Sequence, residues 1–128
     1  MADEHRIDPD GLPYDPATLD AKPDVDREEV GRVGEVVDVE AFPEARKPAW
    51  KLTVDFGPVL GTRRTSAQVT NYAADELMGR RVVGAVNLGS RRIAGFRSEF
   101  LVLGGLEPDG TVRLLDADPS LPLGAPVA

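Results

Sequence analysis

The sequence predicts a mainly β domain, a five-stranded Greek-key barrel with one short helix and an extension at each end. Three observations lead there. From Lys51 to Leu103 the chain reads KLTVDFG, RRTSAQVTNY, GRRVVGAVNL and RRIAGFRSEFLVLG, strand-like runs separated by Gly, Pro and Asn. Glycines fall inside the preceding valine-rich run, as a small barrel needs where its strands bend. A single stretch, NYAADELMG, carries helix signals.

Taken in order, Val30 to Phe42 is the first strand. Val33, Val36, Val37 and Val39 suit a pleated surface, and Gly31 and Gly34 mark a bulge or bend. Pro43 to Pro48 is a loop carrying Arg46 and Lys47. Trp50 to Phe56 alternates, with Leu52, Val54 and Phe56 on one face and Lys51, Thr53 and Asp55 on the other. Gly57-Pro58 ends it, and a connection through Gly61 leads into Thr62 to Thr70. There Thr65, Ala67 and Val69 give a thin apolar face, while Arg63, Arg64, Ser66 and Gln68 make the ladder polar. Asn71 to Gly79 is the helix: Asn71 caps it, Asp75 and Glu76 sit near its positive end, Gly79 suits the C′ position, and Leu77 and Met78 hold it. Arg81 to Leu88 and Phe96 to Leu103 are strands apolar on both faces, which implies a second covering layer. Either the C-terminal tail or another subunit supplies it, and a symmetric homodimer is the expected arrangement. Thr111 to Leu115 is a last strand after the Pro108-Asp109-Gly110 turn, and Pro119, Pro122 and Pro126 keep the tail extended. Strand, strand, strand, helix, strand, strand is the order of an OB-fold.

Composition narrows the function. The chain has 128 residues, one domain by length, with no cysteine and one histidine, His5. Disulfides and thiolate metal sites are thereby excluded, and the lone histidine argues against a zinc site or a His-dependent triad. No nucleophile and base are found together, so the expectation is a binding protein, not an enzyme, with no cofactor or metal. No apolar run approaches the roughly 20 residues of a membrane span, and the polar, acidic MADEHRIDPDG is no signal peptide. A cytoplasmic protein without membrane insertion is expected. The formal net charge of -7 is unevenly placed: residues 1–30 hold ten acidic groups against three basic ones, whereas residues 31–106 hold eleven basic against eight acidic. Residues 1–26 have few large apolar side chains and four prolines, so they read as an acidic, mobile leader to a domain of residues 27–128.

The segments PEARKPAWKLTVDFG, RRTSAQVTNY, GRRVVGAVNL and RRIAGFRSEFLVLG resemble the tRNA-binding OB domain, and within it the free-standing CsaA-type secretion chaperones. The resemblance runs from about Val30 to the C-terminus. It implies a cytosolic homodimer that assists export by holding unfolded preproteins and contacting the Sec motor ATPase. The alternative it implies is structure-selective tRNA binding at the outer corner of the barrel. The tRNA binders of this family carry Ser-(Glu/Gln)-Gly-Met where this chain has Ser98-Glu99-Phe100-Leu101; the start is kept, and a glycine is replaced by a bulky side chain.

The candidate ligand surface for tRNA or peptide comprises Arg46, Lys47, Lys51, Arg63, Arg64, Ser66, Gln68, Asn87, Arg91, Arg92, Arg97, Ser98 and Glu99. Of these, Ser66, Gln68, Asn87, Ser98 and Glu99 follow from the resemblance, and the cations follow from charge. Arg and Lys would hold phosphates and fix position without reading sequence. Pairing of Arg63 and Arg64 with Asp55 and Glu99 is the purely structural alternative. Peptide holding needs an apolar groove or dimer seam, for which Phe42, Trp50, Phe96, Phe100, Leu101 and Leu103 are the candidates. Trp50 reads better as a cover on the barrel end than as a base-stacking platform.

Overall fold

A valine-rich run of eleven residues, β1 (Gly31–Ala41), lies at the centre of the molecule, and the computed structural model describes residues 31–127 around it. The leader, residues 1–26, and Val30 lie outside the described residues. Gly31 to Glu35 of β1 pair antiparallel with β4 (Arg81–Ala85), and Glu35 to Ala41 pair antiparallel with β2 (Trp50–Asp55). One strand thus serves two neighbours with its two halves, which is how a short sheet curls on itself. The sheet order is β3-β2-β1-β4-β7, with β3 at Thr62–Ala67 and β7 at Leu101–Val102. Its far edges meet through side chains as well as backbone. Glu99 N–H donates to Arg64 O at 2.8 Å, Arg64 N–H donates to Glu99 Oε1 at 3.0 Å, and Thr65 Oγ1 donates to Phe100 O at 2.6 Å. The result is a nearly closed five-stranded antiparallel barrel, an OB-fold.

The register break in β1 falls between Val36 and Asp38 and turns Val37 outward, three residues beyond Gly34, the nearer of the two glycines expected to mark it. Gly34 has another task. A Cβ there would lie 2.9 Å from the Phe56 ring, and one at Gly84 would lie 2.9 Å from both the Phe56 and Phe100 rings. These two inward-facing glycines make room for an edge-to-face pair, Phe56 on Phe100, with centroids 5.0 Å apart. Around that pair the predicted alternation is realised: Val36, Leu52, Val54, Val69, Val82 and Leu77 are buried in one core.

The helices differ from expectation. Gly57-Pro58 does not merely end a strand; it opens a single turn, α1 (Gly57–Leu60), because the proline φ is already helical at a first-turn position. The predicted helix of residues 71–79 shrinks to α2 (Ala74–Leu77). Asn71 is not its cap, since its amide donates to Val112 O at 3.0 Å. Glu76 performs that task by accepting the Ala73 N–H at 2.8 Å, and Met78 is half-exposed instead of packed. Two strands are also shorter than expected. β4 stops at Ala85, leaving Leu88 exposed. The run from Phe96 to Leu103 divides into β6 (Phe96–Ser98), which pairs with β5 (Arg91–Ile93) in a separate hairpin, and β7, which joins the barrel beside β4. β8 (Gly104–Leu106) and β9 (Val112–Leu114) form a last hairpin.

The C-terminal tail runs along the first residues of β1, with Gly124 N–H donating to Val33 O at 2.7 Å, and Val33 is buried. It pairs with the edge of β1 and is not the layer expected over the two-faced strands, where Val83, Leu101 and Leu103 are half-buried.

Candidate nucleic-acid interface

Directly opposed residues in antiparallel strands share a face. Two such rows cross the outside of the barrel: Glu40, Lys51 and Ser66, then Asp38, Thr53 and Arg64. Onto this face folds the β5-β6 hairpin. Ile93 and Phe96, opposite one another, turn inward and pack with Phe42, Ala45 and Ala49. Phe42 and Phe96 meet edge to face with centroids 5.4 Å apart. Lys51 Nζ lies 4.7 Å from the Phe42 centroid and 5.2 Å from that of Phe96, and the Arg64 guanidinium lies 4.8 Å from the Phe96 centroid. A buried ring thus orients two cations of the outer face.

Alternation along the hairpin sends the next pair outward. Arg92 and Arg97 are exposed and directly opposite each other. Like charges in that position destabilise a hairpin. Arg92 Nη1 donates to the turn carbonyl of Gly95 at 3.4 Å. Arg91, on the inward side opposite Ser98, is half-buried. Arg46 and Lys47 are exposed on the loop whose Ala45 and Ala49 touch the hairpin's apolar side. The structure therefore groups Arg46, Lys47, Lys51, Arg64, Arg91, Arg92 and Arg97 around the hairpin. Glu40, 3.3 Å from Arg64, is one counter-charge on this face; Asp38 lies in the same row as Arg64, and Glu44 is exposed on the loop.

Other candidates stand apart. Arg63 faces away from Arg64, opposite the buried Val54, and Arg63 Nη1 donates to Val86 O at 3.3 Å. Ser98 is fully buried, with its hydroxyl 3.0 Å from Thr65 Oγ1 and accepting Ser66 N–H at 3.2 Å. It closes the barrel and has no access to a surface ligand. Glu99 accepts a backbone N–H in the same closure, so it is not the partner of the Arg64 guanidinium. Asp55 likewise accepts Gly57 N–H at 2.8 Å and leaves Arg63 alone. Ser66 is half-buried in the outer row; Gln68 and Asn87 are exposed in the segments after β3 and β4. Thr65 and Glu40 were missed. A polar residue at an inward position of the Thr65 ladder was the available signal for the first, and the β1-β2 register, which sequence does not print, was needed for the second.

The expected apolar seam is dispersed. Phe42 and Phe96 belong to the buried hairpin cluster, while Phe100 is enclosed in the barrel core. Trp50 packs on that core and donates Nε1–H to Tyr72 O at 3.1 Å, as a barrel-end cover should. Leu101 lies half-buried opposite Ala85, and Leu103 links β4 to the β9 side through Val83 O at 2.8 Å and Leu115 N at 3.2 Å. Among the described residues no three His, Cys, Asp or Glu side chains gather as metal ligands, and no helix is long and apolar enough to cross a membrane.

Comparison with known proteins agrees with this architecture. Residues 32–126 match the family model described as "Putative tRNA binding domain". The methionine–tRNA ligase of Methanococcus maripaludis is 33% identical over 96 residues, covering 75% of this chain and 14% of the ligase. That of Bacillus subtilis is 32% identical over 93 residues, again 14% of the ligase. The chain thus spans about one-seventh of these curated relatives. Among solved structures, a CsaA chaperone from Picrophilus torridus is 43% identical with a TM-score of 0.73, covering 77% of this chain and 91% of that one. A CsaA chaperone from Bacillus anthracis is 44% identical with a TM-score of 0.72, covering 77% and 90%. The match over most of its length, on an OB-fold barrel, makes this chain a member of the tRNA-binding domain family.

Proposed function

We propose that this chain is a non-catalytic binding protein that takes structured RNA, tRNA above all, on the face formed by the β5-β6 hairpin, the 43–49 loop and the outer rows of β2 and β3. The observation that carries this is the directly opposed, exposed pair Arg92 and Arg97. A hairpin accepts that repulsion at a cost in stability, and a bridging phosphate relieves it. Shape-based RNA recognition needs a cationic face and little else. Single-strand binding would call for exposed aromatic platforms, whereas Phe42 and Phe96 are buried and Trp50 is engaged at the barrel end. Phe100, the bulky departure from the tRNA binders' motif, points into the core and leaves the outer face clear.

A second reading is favoured by the 43–44% identity to CsaA chaperones over about nine-tenths of their chains. In it the protein holds unfolded preproteins in the cytoplasm and contacts the Sec motor ATPase. Homodimerisation belongs to this reading, because one copy leaves side chains such as Val59, 92% exposed, for a partner copy to cover. In both readings residues 1–26 are an acidic leader to the domain of residues 27–128.

Binding of purified tRNA and of an unfolded preprotein peptide, measured side by side at low and physiological salt, separates the two. The RNA reading expects tRNA affinity that falls steeply with salt and is lost on Arg92→Glu with Arg97→Glu. Salt-tolerant peptide binding without tRNA binding would overturn it in favour of the chaperone reading.

A further inference from the structure

The C-terminal segment of residues 121–127 lies against the barrel as a turn and a bridge: Ala125 N–H donates to Pro122 O at 3.1 Å, and Pro126 bridges Arg32. β2 pairs with β1 only from Glu35 onward, so the edge of Gly31 and Val33 is open to another chain. The tail takes it: Val33 N–H donates to Ala125 O at 3.0 Å, Gly124 N–H to Val33 O at 2.7 Å, and Val127 N–H to Gly31 O at 3.0 Å. Two guanidiniums hold its carbonyls, Arg32 Nη1 on Gly124 O at 3.1 Å and Arg81 Nη1 on Leu121 O at 2.7 Å. All five bonds engage the tail's main chain, which every peptide possesses.

Side-chain selection is sharpest at one place, although Val127 also packs on Gly31, where a Cβ would lie 3.2 Å from Val127 Cβ. Gly124 has φ +88, and a Cβ there would lie 2.5 Å from Phe56 O; a Cβ on the facing Gly57 would lie 2.6 Å from Leu123 O. The groove therefore demands glycine at that position. Elsewhere the tail commits little, since Leu121, Pro122, Pro126 and Val127 are exposed. Nor does it satisfy the groove completely: Arg32 Nε is buried and donates to nothing. A segment with few buried apolar atoms opens locally at low cost, while the edge beneath it contains the buried Val33 and needs a cover.

We infer that this groove is a peptide site, that residues 121–127 are its resident occupant, and that a segment of a foreign unfolded polypeptide able to make the same turn, with glycine in the place of Gly124, exchanges with them. The site is separate from the cationic hairpin, so it stands or falls independently of RNA binding, and it would give a holder of unfolded chains a largely sequence-tolerant grip.

The test is titration of a fluorescein-labelled peptide, PSLPLGAPVA (residues 119–128), into the full-length chain and into full-length Gly124→Val, whose own tail is excluded by the Phe56 carbonyl. Removing a tethered competitor should tighten binding to the variant by at least about tenfold over wild type. Unlabelled peptide and reduced, carboxymethylated α-lactalbumin should displace the label, and the peptide with Val in the place of Gly124 should not. No binding to a folded variant, no displacement by the unfolded protein, or equal displacement by the Val peptide overturns the inference. So does association of the variant into dimers without peptide uptake, which would assign the groove to tail exchange between copies. If the variant does not fold, hydrogen exchange in the wild type decides: the amides of Gly124 and Val127 should exchange at least about tenfold faster than that of Leu103, and equal rates would refute the proposal.

Discussion

At Phe100 the chain departs from the tRNA binders it resembles, and the departure is absorbed inside the barrel. Its ring fills space that Gly34 and Gly84 leave open and meets Phe56 at 90°. Two predictions follow the geometry in opposite directions. Gly84→Val drives new atoms into both rings and should cost about 1–3 kcal/mol by overpacking. Phe100→Ala empties the same space and should cost about 3–5 kcal/mol. Both are read as a shift of the denaturant midpoint, and a neutral result for Gly84→Val would show that the rings are not confined there. The inward orientation was not legible, because Phe100 and Val102 alternate with the equally apolar Leu101 and Leu103, and Phe100 read as a seam candidate. Nor were the glycines that accept the ring, because they lie on β1 and β4, far away in sequence. Ser98 shows the same limit. A serine among polar neighbours reads as surface, and only the pairing of β3 with residues 98–100 places its hydroxyl on Thr65.

The β5-β6 hairpin is the element on which the functional reading turns. Its two-residue turn has positive φ at both positions, 48° at Ala94 and 81° at Gly95. Glycine adopts that backbone freely and alanine does not. Ala94→Asn supplies the residue such turns favour and should stabilise the protein by up to about 1 kcal/mol in chemical denaturation. Across the strands, Arg97→Glu converts a repulsive pair into an attractive one. Stability should rise by about 0.2–1 kcal/mol while tRNA affinity falls. Stability and affinity both falling would mean that Arg97 is a structural residue and that the cationic face is placed wrongly. In sequence β5 fell in a gap between strands, marked only by Arg91 and Arg92, and β6 was merged into the longer strand from Phe96 to Leu103. Three-residue strands carry too little periodicity to be read, and the hairpin is fixed by Phe96 meeting Phe42, 54 residues earlier in the chain. The single-turn helices failed to read correctly for a related reason: four residues such as Ala74–Leu77 are held by tertiary contacts more than by propensity.

On the scale of the whole molecule, the strand order was legible because alternation and breakers repeat several times along the chain. The covering layer was less so. Two-faced strands call for a cover without naming it, and the pairing of the tail with β1 was not announced by its run of prolines interspersed with Leu121, Leu123 and Val127. Charge is also distributed at this scale. Residues 1–26 carry eight acidic and two basic groups, so removing them takes the net charge from -7 to -1. The family match begins at residue 32, so the truncated chain should melt near the temperature of the full chain. Its attraction for a polyanion should nonetheless grow, because the lost negative charge opposes phosphate approaching the Arg92 face. Such an effect acts through solvent and is screened over a Debye length of about 8 Å at physiological ionic strength. Truncation should therefore raise the tRNA association rate most at low salt, with the difference shrinking as salt is added. Stopped-flow association of labelled tRNA at several salt concentrations measures this. A gain that persists unchanged at high salt would point to direct occlusion of the face by residues 1–26, and no gain at any salt would show that the leader's charge does not reach the site.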